Sequence, residues 1–208
     1  GVYLLPNLFT TAALFSGFYS IIAAMNGDFS HAAVAILISM VFDGLDGRVA
    51  RMTHTQSAFG AEYDSLADMV SFGIAPALVV FAWSLAPLGK IGWIAAFIYA
   101  VGAALRLARF NTMLSVEEKR YFTGLPSPAA AALVAGVVWA ANDSGISGES
   151  MATLMALLVP IAGLLMVSNV KYRSFKDLNL KGRVPFVVLL IAVLVLVLVA
   201  LEPSLVLM

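Results

Sequence analysis

Cysteine is absent from this 208-residue chain, which excludes disulfides, thiolate metal sites and thiol nucleophiles. Charge is scarce and balanced: twelve Lys and Arg stand against twelve Asp and Glu, so the formal net charge is zero. That leaves no basic field for a nucleic acid, and no nucleic-acid partner is expected. Extended polar sequence is also missing, since 62% of the residues are hydrophobic and the mean hydropathy is +0.97. The chain consists of apolar runs close to the roughly 20 residues that span a bilayer. These runs lack the alternation of a membrane barrel, which excludes membrane strands. The fold class is therefore all-α, a polytopic membrane helix bundle in the lipid bilayer, with residues 1–208 as a single membrane-integral domain.

Punctuation sets the spans. Turn signals at Asn26-Gly27-Asp28, Ala86-Pro87-Leu88-Gly89, Gly124-Leu125-Pro126 and Asn142-Asp143-Ser144-Gly145 separate the apolar runs, with Ser30 and Ser150 as candidate helix caps. Seven transmembrane helices are predicted, over about Leu5–Met25, Phe29–Arg51, Ser57–Leu85, Lys90–Asn111, Pro126–Asn142, Met151–Val170 and Pro185–Leu201. In this threading eleven of the twelve Lys and Arg fall on one side and Lys90 alone on the other. The positive-inside rule makes the populated side cytoplasmic, and the protein is expected in the cell's inner, cytoplasmic membrane. The N-terminus is then cytoplasmic and the C-terminus external.

Against this oily background, four carboxylates gather at the cytoplasmic ends of spans two and three: Asp43, Asp46, Asp64 and Asp68. A charged side chain at bilayer depth costs at least ~2.5 kcal/mol, so the group requires a cationic partner. Spacings of three and four residues put each pair on one helix face, and the turn around Thr53–Gln56 lets the two faces meet. Eight hard oxygens suit two magnesium or manganese ions, which can clamp a phosphoryl group during displacement. Gly44, Gly47 and Gly60 weaken a helix by up to ~1 kcal/mol each unless a close approach compensates. A nucleotide or diphosphate against bare backbone would do so, with Arg51 and Arg48 as candidates for neutralising further phosphate charge. Two other readings stand beside this one. The carboxylates and arginines can be structural ion pairs, or they can belong to a cation-coupled transporter. Two arginines do not satisfy four aspartates, and no acidic steps continue deeper into other spans, which disfavours both.

The pattern Asp-x-x-Asp-Gly-x-x-Ala-Arg, eight residues, then Gly-x-x-x-Asp-x-x-x-Asp resembles the signature of the CDP-alcohol phosphotransferase family. Every fixed position is present, at Asp43, Asp46, Gly47, Ala50, Arg51, Gly60, Asp64 and Asp68. The resemblance implies that Asp43, Asp46, Asp64 and Asp68 hold two divalent cations. It implies too that Gly47, Ala50, Arg51 and Gly60 accommodate a CDP-linked lipid, and that Asp68 acts as base on an acceptor hydroxyl. Further segments resemble the membrane-integral phosphatidylserine synthase branch: Leu5–Thr10, Ser65–Asp68, Ser71–Pro76, Arg106–Asn111, Gly124–Ala130 and Ser168–Lys176. The reaction so implied joins L-serine to CDP-diacylglycerol and gives phosphatidylserine and CMP. Glycerol phosphate, inositol or inositol phosphate are the alternative acceptors.

Serine carries a carboxylate, so its pocket needs a basic partner, and Arg106 and Arg109 with neighbouring Asn111 are the candidates. Interfacial anchoring is the competing role for both arginines. Lys171, Tyr172, Arg173 and Lys176 read as anchors first. Asn7 and Thr10 either orient the nucleotide or cap the first helix. His54 is a lesser candidate ligand. Trp83, Trp93 and Trp139 are expected to form an interfacial belt. Gly17, Gly102, Gly136 and Gly163 are expected to permit close helix contacts, and the resemblance suggests a homodimer.

Overall fold

The structure, a computed structural model, describes residues 4–53, 57–112, 121–168 and 171–173. Helix α1 (Leu4–Met25) turns through Gly27, at φ 77°, into α2 (Phe29–Met52). Asp28 caps α2, its carboxylate accepting from the His31 backbone N–H at 3.3 Å. The expected cap Ser30 instead accepts a 2.8 Å hydrogen bond from Asn142 Nδ2, because Asp28 already sits at the position whose carboxylate reaches the first free amides. Met151, without a side-chain cap, precedes the last helix, and the Ser150 hydroxyl donates to the Ser147 carbonyl.

A long composite helix follows. It begins as α3 (Ala58–Asp68), opens into a wide, π-type turn over Met69–Ile74, resumes as α4 (Ala75–Val80), widens again over Phe81–Leu85 and closes through a tight turn at Ala86–Leu88. Both widenings end two residues before a proline, Pro76 and Pro87. A proline has no N–H for the carbonyl four residues back, and its ring crowds that carbonyl, so the preceding turn expands. Helices α5 (Lys90–Thr112), α6 (Ser127–Asp143) and α7 (Ala152–Val167) complete the bundle. A short antiparallel pair, β1 (Tyr121–Thr123) with β2 (Lys171–Arg173), joins the segments flanking α6 and α7. Apolar periodicity carries no signal for it, because the pair lies outside the apolar runs.

Among the described residues, three helical stretches are long and apolar enough to cross a membrane: Asn7–Met25, Ala58–Leu88 and Lys90–Thr112. Ala152–Val167 is apolar but shorter. The expected seventh span at Pro185–Leu201 lies outside the described residues, as do His54, Lys119, Arg120 and Lys176.

Helix α1 packs along α2, α5 along α7, and α2 against α6. Small side chains dominate the contacts: Ala32, Ala33, Ala103, Ala130, Ala131 and Ala135 are fully buried. Lipid is as apolar as a side chain, so close backbone approach and dispersion must hold such a bundle together. A Cβ on Gly102 would be driven into the Gly163 backbone, and one on Gly163 would lie 2.7 Å from the Tyr99 Cα. Gly17 is likewise closed off by Ser71, 2.7 Å from its Cα. Among the described residues, nothing lies within 4 Å of a Cβ position on Gly136. Trp83 departs from the expected belt. It is 6% exposed, locked under Gly148, whereas Trp93 is 52% exposed and edge-on to Phe97.

Candidate active site

One end of the bundle collects the polar chemistry. It is formed by the start of α1, the end of α2, the start of α3 and the ends of α5 and α7. Helix α2 reaches this end with Asp43 and Asp46 one turn apart, and α3 enters it from Ser57, whose hydroxyl caps the helix by accepting from the Gly60 N–H at 3.0 Å. Side-chain oxygens of Asp43, Asp64 and Asp68 all lie within 4.8 Å of one another. Asp46 stands just outside this trio. Its carboxylate is in hydrogen-bonding reach of Asp64, as that of Asp43 is of Asp68, so the two helices exchange contacts pair for pair.

Asp46 alone of the four aspartates is buried, at 5% exposed, and Thr10 Oγ1 donates a 2.7 Å hydrogen bond to its Oδ2. Thr10 therefore does not cap α1, which begins at Leu4. It orients an aspartate. Asn7 is likewise inside the helix, with its Oδ1 3.7 Å from a Cβ built on Gly60. One turn on, Thr11 and the Tyr63 hydroxyl meet at 2.9 Å and tie α1 to α3. Sequence spacing missed Thr11 and Tyr63. A second threonine beside Thr10 was the available signal, but its partner lies 52 positions away.

The glycines divide. No atom lies within 4 Å of a Cβ on Gly44, and only the Arg51 guanidinium, at 3.5 Å, approaches one on Gly47. Gly60 is closed by Ser57 Oγ at 3.1 Å, so its small size serves the turn into α3 as well as any ligand. Ala50 is half-buried on α2, while Arg48 and Arg51 are exposed. Among the described residues, neither arginine is within ion-pair distance of the four aspartates, for the ion pair found is Asp28 with His31 at 2.8 Å. Neither Arg48 nor Arg51 thus makes the contact that the structural-pair reading requires. A hard, oxygen-only donor set of two facing pairs fits magnesium or manganese.

At the end of α5, Arg106 and Arg109 are half-buried one turn apart. Arg109 Nη1 lies 3.5 Å from the Val167 carbonyl at the end of α7. Asn111 is tied to α3 beside the carboxylates, where Ser65 Oγ, next in sequence to Asp64, donates to Asn111 Oδ1 at 3.1 Å. Ser65 figures in the sequence only as the start of the Ser65–Asp68 segment, with no role of its own assigned.

A helical bundle whose polar end holds clustered carboxylates suited to hard divalent cations defines a membrane-embedded class built to handle phosphoryl groups. The chain belongs to the CDP-alcohol phosphatidyltransferase family, whose pattern matches residues 3–168. It is similar to CDP-diacylglycerol–serine O-phosphatidyltransferase of Helicobacter pylori, 41% identical over 182 residues, which cover 86% of this chain and 77% of that protein. A protein of the same name from Methanocaldococcus jannaschii is 42% identical over 142 residues, 68% of this chain and 63% of the other. The Saccharomyces cerevisiae protein of that name is 42% identical over 139 residues, 60% and 50% of the two chains.

Proposed function

We propose that this chain is an enzyme that transfers the phosphatidyl group of CDP-diacylglycerol to the hydroxyl of L-serine, giving phosphatidylserine and CMP. The observation that carries this reading is the convergence of Asp43, Asp64 and Asp68 within 4.8 Å, in a chain whose relatives bear that activity in their name. Asp43, Asp46, Asp64 and Asp68 would hold two magnesium or manganese ions. Bound there, the ions would neutralise the diphosphate and stabilise the departing CMP.

The chain's own residues do the rest. Gly47, Ala50, Arg51 and Gly60, with Asn7 and Thr10 at the start of α1, receive the CDP moiety, and the open backbone at Gly44 and Gly47 leaves room for it. Arg106, Arg109 and Asn111 face the serine carboxylate, with Asn111 anchored to α3 through Ser65. The serine hydroxyl passes its proton to Asp68 as its oxygen bonds to the lipid-bearing phosphorus and the bond to CMP breaks. A carboxylate is a weak base for an alcohol, so alignment of the attacking oxygen supplies much of the acceleration. We further infer one membrane domain over residues 1–208 with seven spans, a cytoplasmic active site in the inner membrane and a homodimeric assembly.

Purified chain supplied with CDP-diacylglycerol tests the reading. Release of CMP that requires both L-serine and magnesium or manganese is the expected result. Release with inositol, inositol phosphate or glycerol phosphate in place of serine would move the acceptor. Dissipation of an ion gradient without nucleotide cleavage would replace transfer by transport.

A further inference from the structure

The wide turn that opens immediately after Asp68 is held in an unusual way. In a regular helix the Phe72 carbonyl would accept from the N–H of residue 76, which is a proline and has none. The hydroxyl of Tyr99, from the middle of α5, donates to that carbonyl at 3.0 Å, and Tyr99 and Phe72 are both 0% exposed. The residues on either side are held too. Ser71 Oγ donates to the Ala13 carbonyl of α1 at 3.1 Å, and a Cβ on Gly73 would sit 3.1 Å from Ala103 Cβ of α5. Tyr99 is itself fixed from behind, where Gly163 of α7 leaves no room for a Cβ against its backbone.

We propose that Tyr99 is a positioning residue for the carboxylate quartet: by supplying the donor that Pro76 lacks, its hydroxyl sets the wide turn from which Asp68 projects toward Asp43 and Asp64. The inference rests on the reading of the quartet as a divalent-cation site. Without the hydroxyl, the buried Phe72 carbonyl loses this donor, a cost that the turn relieves by shifting. Asp68, one turn earlier in the same helix, shifts with it. The second wide turn supplies an internal control. It too precedes a proline, Pro87, and it is held by a buried serine, Ser84 Oγ donating to the Gly148 carbonyl at 2.7 Å. It lies at the opposite end of the composite helix from the aspartates.

The test is manganese binding by electron paramagnetic resonance on the full chain in detergent, with no substrate present, alongside thermal unfolding. Tyr99→Phe is expected to weaken manganese binding about tenfold, the scale seen when a ligand's hydrogen-bonded support is removed. Ser84→Ala is expected to lower the unfolding temperature while leaving manganese affinity unchanged. Ser71→Ala, a milder change at the same wide turn, should move affinity in the direction of Tyr99→Phe, and it decides the matter if Tyr99→Phe fails to fold. Unchanged affinity in the Tyr99 or Ser71 variant, or equal weakening in the Ser84 variant, overturns the positioning role. Absence of manganese binding by the wild-type chain would instead remove the metal reading itself, and this inference with it.

Discussion

The two halves of α2 do different jobs with the same backbone. From Ala32 to Ser39 one face of the helix is sealed: Ala32, Ala33, Ile36 and Ser39 are 0% exposed, and the Ser39 hydroxyl reaches across to the Ala13 carbonyl at 2.8 Å. From Asp43 to Arg51 Asp46 alone is buried, and among the described residues the Cβ space of Gly44 has no neighbour within 4 Å and that of Gly47 only the Arg51 guanidinium. The first half uses small residues to bring helices together. The second uses them to keep helices apart from something else. Glycine and alanine are therefore ambiguous in a membrane sequence until their surroundings are known. Packing and ligand access both ask for a small side chain, and only the neighbour distinguishes them.

The comparison breaks most visibly at the open end. Asp43→Asn is expected to reduce CMP release about a thousandfold, equivalent to several kcal/mol of lost charge stabilisation in phosphoryl transfer, while leaving the unfolding temperature unchanged or raised. Removing one of four crowded negative charges costs the apo fold nothing. Chelation of divalent ions should have the same effect on turnover, reversed by adding magnesium or manganese. A variant that loses stability together with turnover would place Asp43 in the framework instead of the chemistry.

The sealed region should respond the other way. Gly102→Val pushes two methyl groups at the Gly163 backbone, and overpacking of that kind costs about 1–3 kcal/mol. Thermal unfolding in detergent should register the loss, with CMP release per folded molecule falling far less than in Asp43→Asn. Between these extremes lies Arg106→Ala. If Arg106 meets the serine carboxylate, the serine concentration needed for half-maximal rate rises about tenfold, the lower range for a hydrogen bond to a charged group, with the CDP-diacylglycerol requirement unchanged. An unaltered serine requirement returns Arg106 to interfacial anchoring.

Much of this architecture was legible in the residues alone. Six of the expected spans fall within a few residues of helical passages in the described structure, because Gly, Pro and Asn punctuate apolar runs too long to be anything but helices. The carboxylate cluster was legible for a different reason, since spacings of three and four fix a helix face without any knowledge of the fold. What stayed hidden depends on register between helices far apart in sequence. Thr10 with Asp46, Ser65 with Asn111 and Tyr99 with Phe72 are 36, 46 and 27 positions apart, and no local rule couples them. Trp83 failed for the same reason: which side of a helix faces lipid is decided by its neighbours. The wide turns lie between. Pro76 and Pro87 announce a disturbed ladder, but not which donor fills the gap.

The smallest effect gives the finest discrimination. Gly44 is exposed on α2, and a Cβ added there meets nothing within 4 Å. In the free protein Gly44→Ala should therefore stabilise α2 by up to ~1 kcal/mol through helix propensity alone, and the unfolding temperature should rise. If the CDP moiety closes against this bare strip of backbone, the added methyl group stands in its path, and the CDP-diacylglycerol requirement should rise a few-fold while the serine requirement holds. Higher stability combined with weaker CDP-lipid binding would show that glycine is retained for the ligand at the expense of the helix. Higher stability with unchanged binding would move the nucleotide off this part of α2 and toward Asn7 and Gly60, where the starts of α1 and α3 meet.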